Sequence, residues 1–145
     1  MLNLKNTEQC PECGRFANRG NSIDAVIVRD GKILLVKRGR EPYKGFWATP
    51  GGYIDWDESA EETVKREVKE ETDLDVTSVK LFNAYTDPAR HPKQTMALAY
   101  IVQVKDDEPK AGDDADAVEW FDLDKLPESM AFDHRKLIAD AKKHL

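Results

Sequence analysis

Residues 51–74 read GGYIDWDESAEETVKREVKEETDL, and this stretch decides how the chain folds around it. Ser59 and Glu62 stand three positions apart ahead of a periodic apolar segment, which is the spacing of a capping box at a helix N-terminus. Asp57 and Glu58 place negative charge where the helix dipole stabilises it. The stretch therefore predicts a loop followed by a helix that begins near residue 60.

A helix over residues 58–74 would carry one apolar stripe and one charged face, at about 100° of rotation per residue. The apolar stripe consists of Ala60, Val64, Val68 and Leu74, and the charged face of Glu61, Glu62, Lys65, Arg66 and Lys69. Glu67 and Glu71 fall in the middle of the apolar arc, and Glu70 flanks it. These three glutamates are therefore out of place on a purely structural helix.

Ionised carboxylates on the core side cost several kcal/mol unless they are compensated. A buried ion pair would compensate a single acid, and a rotated helix would leave all three exposed. A divalent cation accounts for the cluster more simply, because hard cations prefer several oxygen ligands. Glu67 and Glu71 can bind one ion, and Glu70 a second ion or a water. Such ions neutralise phosphate oxygens and acidify a bound water, which favours hydrolysis of a phosphoric anhydride.

The same residues resemble the signature of the Nudix family. That signature is Gly, five residues, Glu, seven residues, then Arg-Glu-apolar-x-Glu-Glu-x-Gly-apolar. Here it runs from Gly52 and Glu58 to the segment REVKEETDL at residues 66–74. The one departure is Asp73 in place of the family's Gly. Because Asp tolerates the left-handed backbone of a helix C-terminus, we expect a small cost in stability and unchanged chemistry.

The resemblance extends over about residues 22–143 and implies a fold and a set of roles. The implied fold is an α/β (α+β) structure, an α/β/α sandwich with a mixed β-sheet, in which the signature forms a loop-helix-loop. The implied cofactor is Mg²⁺ or Mn²⁺. By the resemblance, Glu67 and Glu71 are the principal metal ligands, and Glu70 is a further ligand or the catalytic base; an acid in the 105–119 loop, or Glu119, is the alternative base. Backbone carbonyls of Gly51 or Gly52 complete the metal shell, whereas Gly52, Glu58 and Arg66 are structural.

The implied substrate is a nucleoside diphosphate linked to another moiety. Residues 85–92, YTDPARHP, are similar to a stretch of small ADP-ribose pyrophosphatases, although a proline-rich surface loop explains them as well. Arg38 and Arg90 are expected to contact phosphate or ribose, and Phe46 or Trp47 to stack on the base. We expect ADP-ribose to be split into AMP and ribose 5-phosphate. A nucleoside-triphosphate pyrophosphohydrolase and a non-catalytic nucleotide sensor are the alternatives.

The flanking sequence predicts the rest of a single domain over residues 22–145, preceded by an arm over 1–21. Strands are predicted at 23–28 and 32–37, joined by the turn signal Asp30-Gly31. Further strands are predicted near 46–49, at 77–86, 95–104 and 117–121, with a charged loop at 105–116 and a final helix at 132–143. Strands interrupted by helices indicate an α/β or α+β sandwich with a mixed sheet.

Composition excludes some classes of function. The formal net charge of −6 argues against broad nucleic-acid binding, which depends on Lys and Arg. No run approaches the roughly 18 apolar residues of a membrane-spanning helix, and we expect a cytoplasmic protein.

The two cysteines, Cys10 and Cys13, have the spacing of a zinc knuckle, but zinc normally takes four ligands. A free pair, or zinc completed by another chain or a distant histidine, stay open, as does a homodimer.

Overall fold

The computed structural model describes residues 8–112 and 114–145. In this part of the chain the strands are β1 (Asn21–Arg29), β2 (Lys32–Arg38), β3 (Trp47–Ala48), β4 (Gly51–Tyr53), β5 (Val76–Tyr85), β6 (Met96–Val104) and β7 (Ala115–Asp122). The helices are α1 (Ala60–Thr72) and α2 (His134–Ala141), with short 3-10 helices at Pro88–Arg90 and Lys142–His144. None of these helices is long and apolar enough to cross a membrane.

The sheet is mixed, as predicted. β1 runs parallel to β6, and the other pairings are antiparallel: β1 with β2 and β4, β2 with β3 and β7, and β5 with β6. The turn between β1 and β2 places Asp30 at φ 51° and Gly31 at φ 75°. Two consecutive positive φ angles are what a tight two-residue hairpin turn requires, so the Asp-Gly signal predicted this hairpin correctly.

A helix covers each face of the sheet, which makes the predicted three-layer sandwich. On one face, Val64 and Val68 of α1 pack in a cluster with Leu34 of β2. On the other, Leu137 and Ile138 of α2 pack in a cluster with residues that include Ile33 and Leu35. Neighbouring residues of β2 thus enter opposite cores, because side chains alternate between the two faces of a strand.

Helix α1 begins and ends as its sequence indicates. The Ser59 side chain accepts from the Glu62 N–H, and the Glu62 side chain accepts from the Ser59 N–H, so both halves of the capping box are present. The helix ends at Asp73, which takes a left-handed conformation at φ 61° and donates its N–H to the carbonyl of Lys69. The residue that departs from the family signature therefore adopts the backbone that the signature glycine would favour.

The structure differs from the sequence-based prediction at three places. β4 was not predicted, because a three-residue strand with two glycines shows no alternation of apolar and polar residues. α2 begins at His134 rather than Phe132, since Phe132 has φ 50° and cannot continue a helix. β7 begins at Ala115, earlier than expected.

The predicted arm over residues 1–21 is described from residue 8 onward, and residues 1–7 of that prediction lie outside the described part. Gln9 and Phe16 form an isolated antiparallel bridge across the Cys10–Cys13 segment. β1 already includes Asn21. The division into an arm and a domain stays a prediction.

Candidate active site

The glutamates of α1 meet the glycines of β4. The N–H of Gly51 donates to Glu71 Oε2 at 3.1 Å. Glu67 lies so close to Gly52 that a Cβ at position 52 would stand 2.3 Å from Glu67 Oε1. Glycine at position 52 thus lets the strand backbone approach the Glu67 carboxylate directly, whereas a side chain at position 51 would meet the carbonyl of Ile23 in β1.

Arg66 organises the loop and the helix together. Its Nε and Nη2 donate to the two oxygens of Glu58 at 2.7 and 2.9 Å, a bidentate ion pair. Its Nη1 donates to Glu67 at 2.9 Å and to Glu70 at 3.2 Å. The helical wheel placed Arg66 on the solvent face, whereas the folded side chain is only 28% exposed because these carboxylates draw it inward. Arg66 thus joins the loop to α1, and the structural role of Glu58 and Arg66 stays a prediction.

Glu58 is held firmly as a charged group. Besides Arg66, it accepts from the Asp55 N–H and the Thr63 hydroxyl, each at 3.1 Å. The hydrogen bond from Arg66 is the main reason that the pKa of Glu58 falls to about 2. The loop between β4 and α1 is therefore tied to the helix through one carboxylate.

Glu67, Glu70 and Glu71 of α1 differ in environment. The side chain of Glu67 is 13% exposed and that of Glu70 is 40% exposed, so Glu70 lies at the rim. Burial, and next the charge of Glu67, raise the pKa of Glu71 to about 8, while the Gly51 N–H and Arg38 oppose that rise only in part. At Glu71, the hydrogen bond from Gly51 and the charge of Arg38 therefore do not offset burial beside a second acid.

The donor chemistry here fits a hard divalent cation. Glu67 and Glu71 offer carboxylate oxygens beside a strand backbone, which is the ligand type that Mg²⁺ and Mn²⁺ prefer. Among the described residues, no three acidic, His or Cys side chains converge closely enough to hold an ion by themselves. Arg66 occupies oxygens of Glu67 and Glu70 instead. A cation bound by Glu67 and Glu71 would take its other oxygens from backbone, water or substrate, as Mg²⁺ commonly does.

Two adjoining cavities open beside these carboxylates. The first contains Glu67 and Glu71, and both cavities are lined by Arg38, Gly51, Gly52 and Tyr53. Arg38 donates to the carbonyl of Pro42 at 2.8 Å, and its guanidinium lies 5.0 Å from the centre of the Phe132 ring. The guanidinium of Arg38 therefore lies where the two cavities meet, beside the acids. A positive charge at this place suits an anionic substrate.

The second cavity rests on a buried polar network that the sequence did not reveal. Thr49 donates its hydroxyl to Asp24 Oδ1 at 3.0 Å, and His134 Nε2 lies 3.3 Å from the same oxygen. The Thr49 N–H donates to His134 Nδ1 at 3.2 Å, which assigns the ring proton to Nε2. Burial alone would raise the pKa of Asp24, but His134, Arg90 and Thr49 together hold it below its ordinary value.

Arg90, predicted as a substrate contact, is bound by protein groups in this structure. It makes a bidentate pair with Asp133 at 2.8 and 2.9 Å and donates to the carbonyl of Thr95 at 3.0 Å. Only 4% of its side chain is exposed. Arg90 lines the second cavity, but its side chain is buried and held by Asp133 and Thr95. The geometry therefore favours a role in positioning Asp133 over a direct contact with phosphate.

The two aromatic residues predicted to stack on a base lie elsewhere. Trp47 packs edge-on against Phe121 in the core under α2, at 4.8 Å between ring centres, so packing accounts for it. Phe46 packs against Tyr43 and is 37% exposed. Neither is among the described residues that line the two cavities, whereas Phe132 is.

The alternative bases are separated by the fold. Asp114, in the loop before β7, lines the same cavity as Glu67 and Glu71 and forms an ion pair with Arg40. Glu119 alternates along β7 with Val118 and Trp120, which pack on the α1 face. Its side chain therefore belongs to the opposite face of the sheet, away from the glutamates. Asp114 is thus placed near the acids and Glu119 is not, while Asp113 of the same predicted loop lies outside the described residues.

A model of the NUDIX domain matches residues 18–141. The chain belongs to the Nudix family. The ADP-ribose pyrophosphatase of Methanocaldococcus jannaschii is 45% identical to this Nudix chain over 120 residues, which cover 82% of this chain and 70% of that protein. The chain spans less than half the length of several other curated relatives that it matches.

Solved Nudix structures share the fold. The NUDIX domain of Shewanella oneidensis NrtR, in complex with ADP ribose, has a TM-score of 0.80 at 28% identity and covers 89% of this chain and 90% of its own. A bifunctional NMN adenylyltransferase/ADP ribose pyrophosphatase of Francisella tularensis, complexed with AMP and a Mn ion, has a TM-score of 0.77 at 25% identity; the match covers 89% of this chain and 42% of that one. Nudix proteins typically use a divalent metal, and this relative holds one.

Proposed function

We propose that this chain is a pyrophosphohydrolase that splits ADP-ribose into AMP and ribose 5-phosphate with the help of Mg²⁺. The observation that carries the proposal is the pair Glu67 and Glu71, two sheltered carboxylates that share one cavity with the cation Arg38. The 45% identity to an ADP-ribose pyrophosphatase over most of the chain supports the choice of substrate. So does the ADP ribose bound to a related domain.

In the proposed reaction, water adds across the P–O–P bond. The water oxygen bonds to one phosphorus, the bridging oxygen leaves with the other phosphate, and a carboxylate accepts the released proton. A divalent ion held by Glu67 and Glu71 would neutralise phosphate oxygens and acidify the attacking water. Arg38 would hold the pyrophosphate against the glutamates, and the Gly51 and Gly52 backbone would complete the ligand shell.

Two acids are candidates for the proton acceptor. Glu70 lies at the rim of the site but shares its carboxylate with Arg66. Asp114 lines the cavity from the opposite loop and pairs with Arg40. Comparing Glu70→Gln with Asp114→Asn separates them. Substitution of the residue that acts as the base should lower kcat by about 100-fold or more, while KM changes little.

The test is a Mg²⁺-dependent turnover panel of ADP-ribose, other sugar nucleotides, dinucleotides and nucleoside triphosphates. AMP and ribose 5-phosphate from ADP-ribose, at the highest kcat/KM of the panel, is the expected result. Turnover of triphosphates without AMP from ADP-ribose would assign the chain to nucleotide-pool hydrolysis instead. Tight binding of ADP-ribose without any turnover would identify a nucleotide sensor.

The metal glutamates are tested separately from the substrate. Glu67→Gln and Glu71→Gln should each abolish Mg²⁺-dependent turnover while circular dichroism shows the fold retained. Glu61→Gln is the matched control, since Glu61 lies exposed on the same helix, where its carboxylate accepts from the Tyr100 hydroxyl at 3.4 Å. Near wild-type rates in the Glu67 and Glu71 variants would remove these residues from the metal site.

A further inference from the structure

The segment around Cys10 and Cys13 forms a tight turn that carries two potential ligands of a zinc ion. The Gly14 N–H donates to the Cys10 carbonyl at 2.8 Å, with Gly14 at φ 73°, and the Cys10 N–H donates to the Arg15 carbonyl. This tight turn is closed by the Gln9–Phe16 bridge. The turn brings Cys13 back to Cys10, where the backbone N–H groups of Cys13 and Glu12 point at the Cys10 thiol and the two side chains meet. Donors aimed at a sulfur stabilise a thiolate, which is the form that binds metal.

The chain cannot complete this site from its own cysteines. A structural zinc ion takes four ligands in a tetrahedron, and Cys10 and Cys13 are the only two cysteines of the sequence. The histidines are engaged elsewhere: His91 stacks on Phe132, His134 lies buried beside Asp24, and His144 packs on Phe82. Two ligands are missing, and a second identical pair would supply them.

The surface beside the turn is suited to meet another copy. Phe16 is 48% exposed and Trp56, in the loop before α1, is 75% exposed. Arg15 joins them, since its guanidinium lies 4.2 Å from the centre of the Trp56 ring. Exposed aromatic residues and arginine are enriched in protein interfaces. In a symmetric pair built on this patch, the same residues would meet from both sides, and the adjoining Cys10–Cys13 turns would approach the two-fold axis together.

We propose that Cys10 and Cys13 of two copies of this chain bind one zinc ion between them, so that the metal bridges a homodimer. The ion would be held by four thiolates, two from each turn, with the Phe16 and Trp56 patches packed around it. Trp56 belongs to the loop that leads into the catalytic helix, so the bridge would also stiffen the approach to Glu58 and Glu67. This proposal is independent of the substrate.

The test measures metal and mass together on the full chain, purified under reducing conditions. We expect one zinc ion for every two chains by elemental analysis, and the mass of a dimer by light scattering. Replacing zinc with cobalt should give the intense thiolate-to-cobalt absorption of a four-sulfur site. The double variant Cys10→Ser, Cys13→Ser should lose both the metal and the dimer. Glu12→Gln, which keeps both thiols in the same turn, should retain both and serves as the control.

Three outcomes would overturn the proposal. One zinc ion per monomeric chain would mean that the site is completed within the chain. A metal-free protein with a Cys10–Cys13 disulfide would identify a redox pair. A dimer that persists unchanged in the double serine variant would show that zinc does not bridge it.

Discussion

The contact between Gly52 and Glu67 yields the sharpest prediction, for the variant Gly52→Ala. Gly52 is not at a positive φ, so alanine fits its backbone and only Glu67 stands in the way. The added Cβ would lie 2.3 Å from Oε1 and 2.5 Å from Cδ of Glu67, where ordinary contact needs 3.4 Å or more. The carboxylate must therefore move by about 1 Å, and a misplacement of this size costs on the order of 100-fold in rate.

The free energy of unfolding separates this clash from a general effect of alanine. In the wild-type background, overpacking by one methyl group should destabilise the fold by about 1–3 kcal/mol. In a Glu67→Ala background the obstacle is gone, and Gly52→Ala should then stabilise by roughly 0.4–1 kcal/mol, through the lower entropy of the unfolded chain.

The assay is urea unfolding of the four proteins of this double-mutant cycle, with Mg²⁺-dependent kcat/KM of Gly52→Ala measured beside it. A coupling energy of more than about 1 kcal/mol and a loss of at least 100-fold in kcat/KM are expected. Equal effects of Gly52→Ala in both backgrounds, or turnover near that of the wild type, would refute the idea that this glycine exists to admit the carboxylate.

Three further predictions concern the frame of the site. Asp73→Gly should stabilise the fold by about 0.5–1 kcal/mol in urea unfolding, because it relieves a left-handed residue and loses one exposed ion pair, with Lys69; a loss of stability would contradict this. The pKa of Glu58 is lowered to about 2, so its carboxylate stabilises the fold fully at pH values above about 4.5. This stabilisation is lost as the pH falls from 4.5 toward 2. The stability gap between wild type and Glu58→Gln should accordingly narrow over this window, and a constant gap would argue against it. Arg90→Lys should destabilise by about 3 kcal/mol, since lysine cannot reproduce the bidentate pair with Asp133; a raised KM at unchanged stability would instead indicate a direct substrate contact.

Much of the catalytic half was predictable because its physics is local. The capping box of Ser59 and Glu62 depends on residues three apart, and the helical period alone singled out Glu67 and Glu71 as acids on a buried face. The dipeptide Asp30-Gly31 likewise predicted the turn between β1 and β2. Where all partners of an interaction lie within one helical turn or one hairpin, the interaction can be predicted from the local sequence.

The second cavity was not predictable in the same way, since its network joins residues far apart in the chain. Asp24 lies in β1, Thr49 follows β3, and His134 begins α2. In sequence, Asp24 is one polar residue in an apolar strand, with nothing nearby to indicate a partner. Arg90 was predicted to contact phosphate or ribose, and its pair with Asp133 could not be foreseen because the two residues lie 43 positions apart.

The charge balance around α1 explains why one helix carries so many acids. Five carboxylates and two guanidinium groups gather there: Asp55, Glu58, Glu67, Glu70, Glu71, Arg38 and Arg66. Arg66 is committed to Glu58 and reaches Glu67 and Glu70 with a single nitrogen, so little positive charge is left to stabilise an ionised Glu71 beside Glu67, and the pKa of Glu71 rises. A pyrophosphate would be repelled by this cavity unless divalent cations entered first or with it. The excess acid thus makes substrate binding depend on the metal, and ADP-ribose should bind measurably to the wild-type protein only when a divalent cation is present.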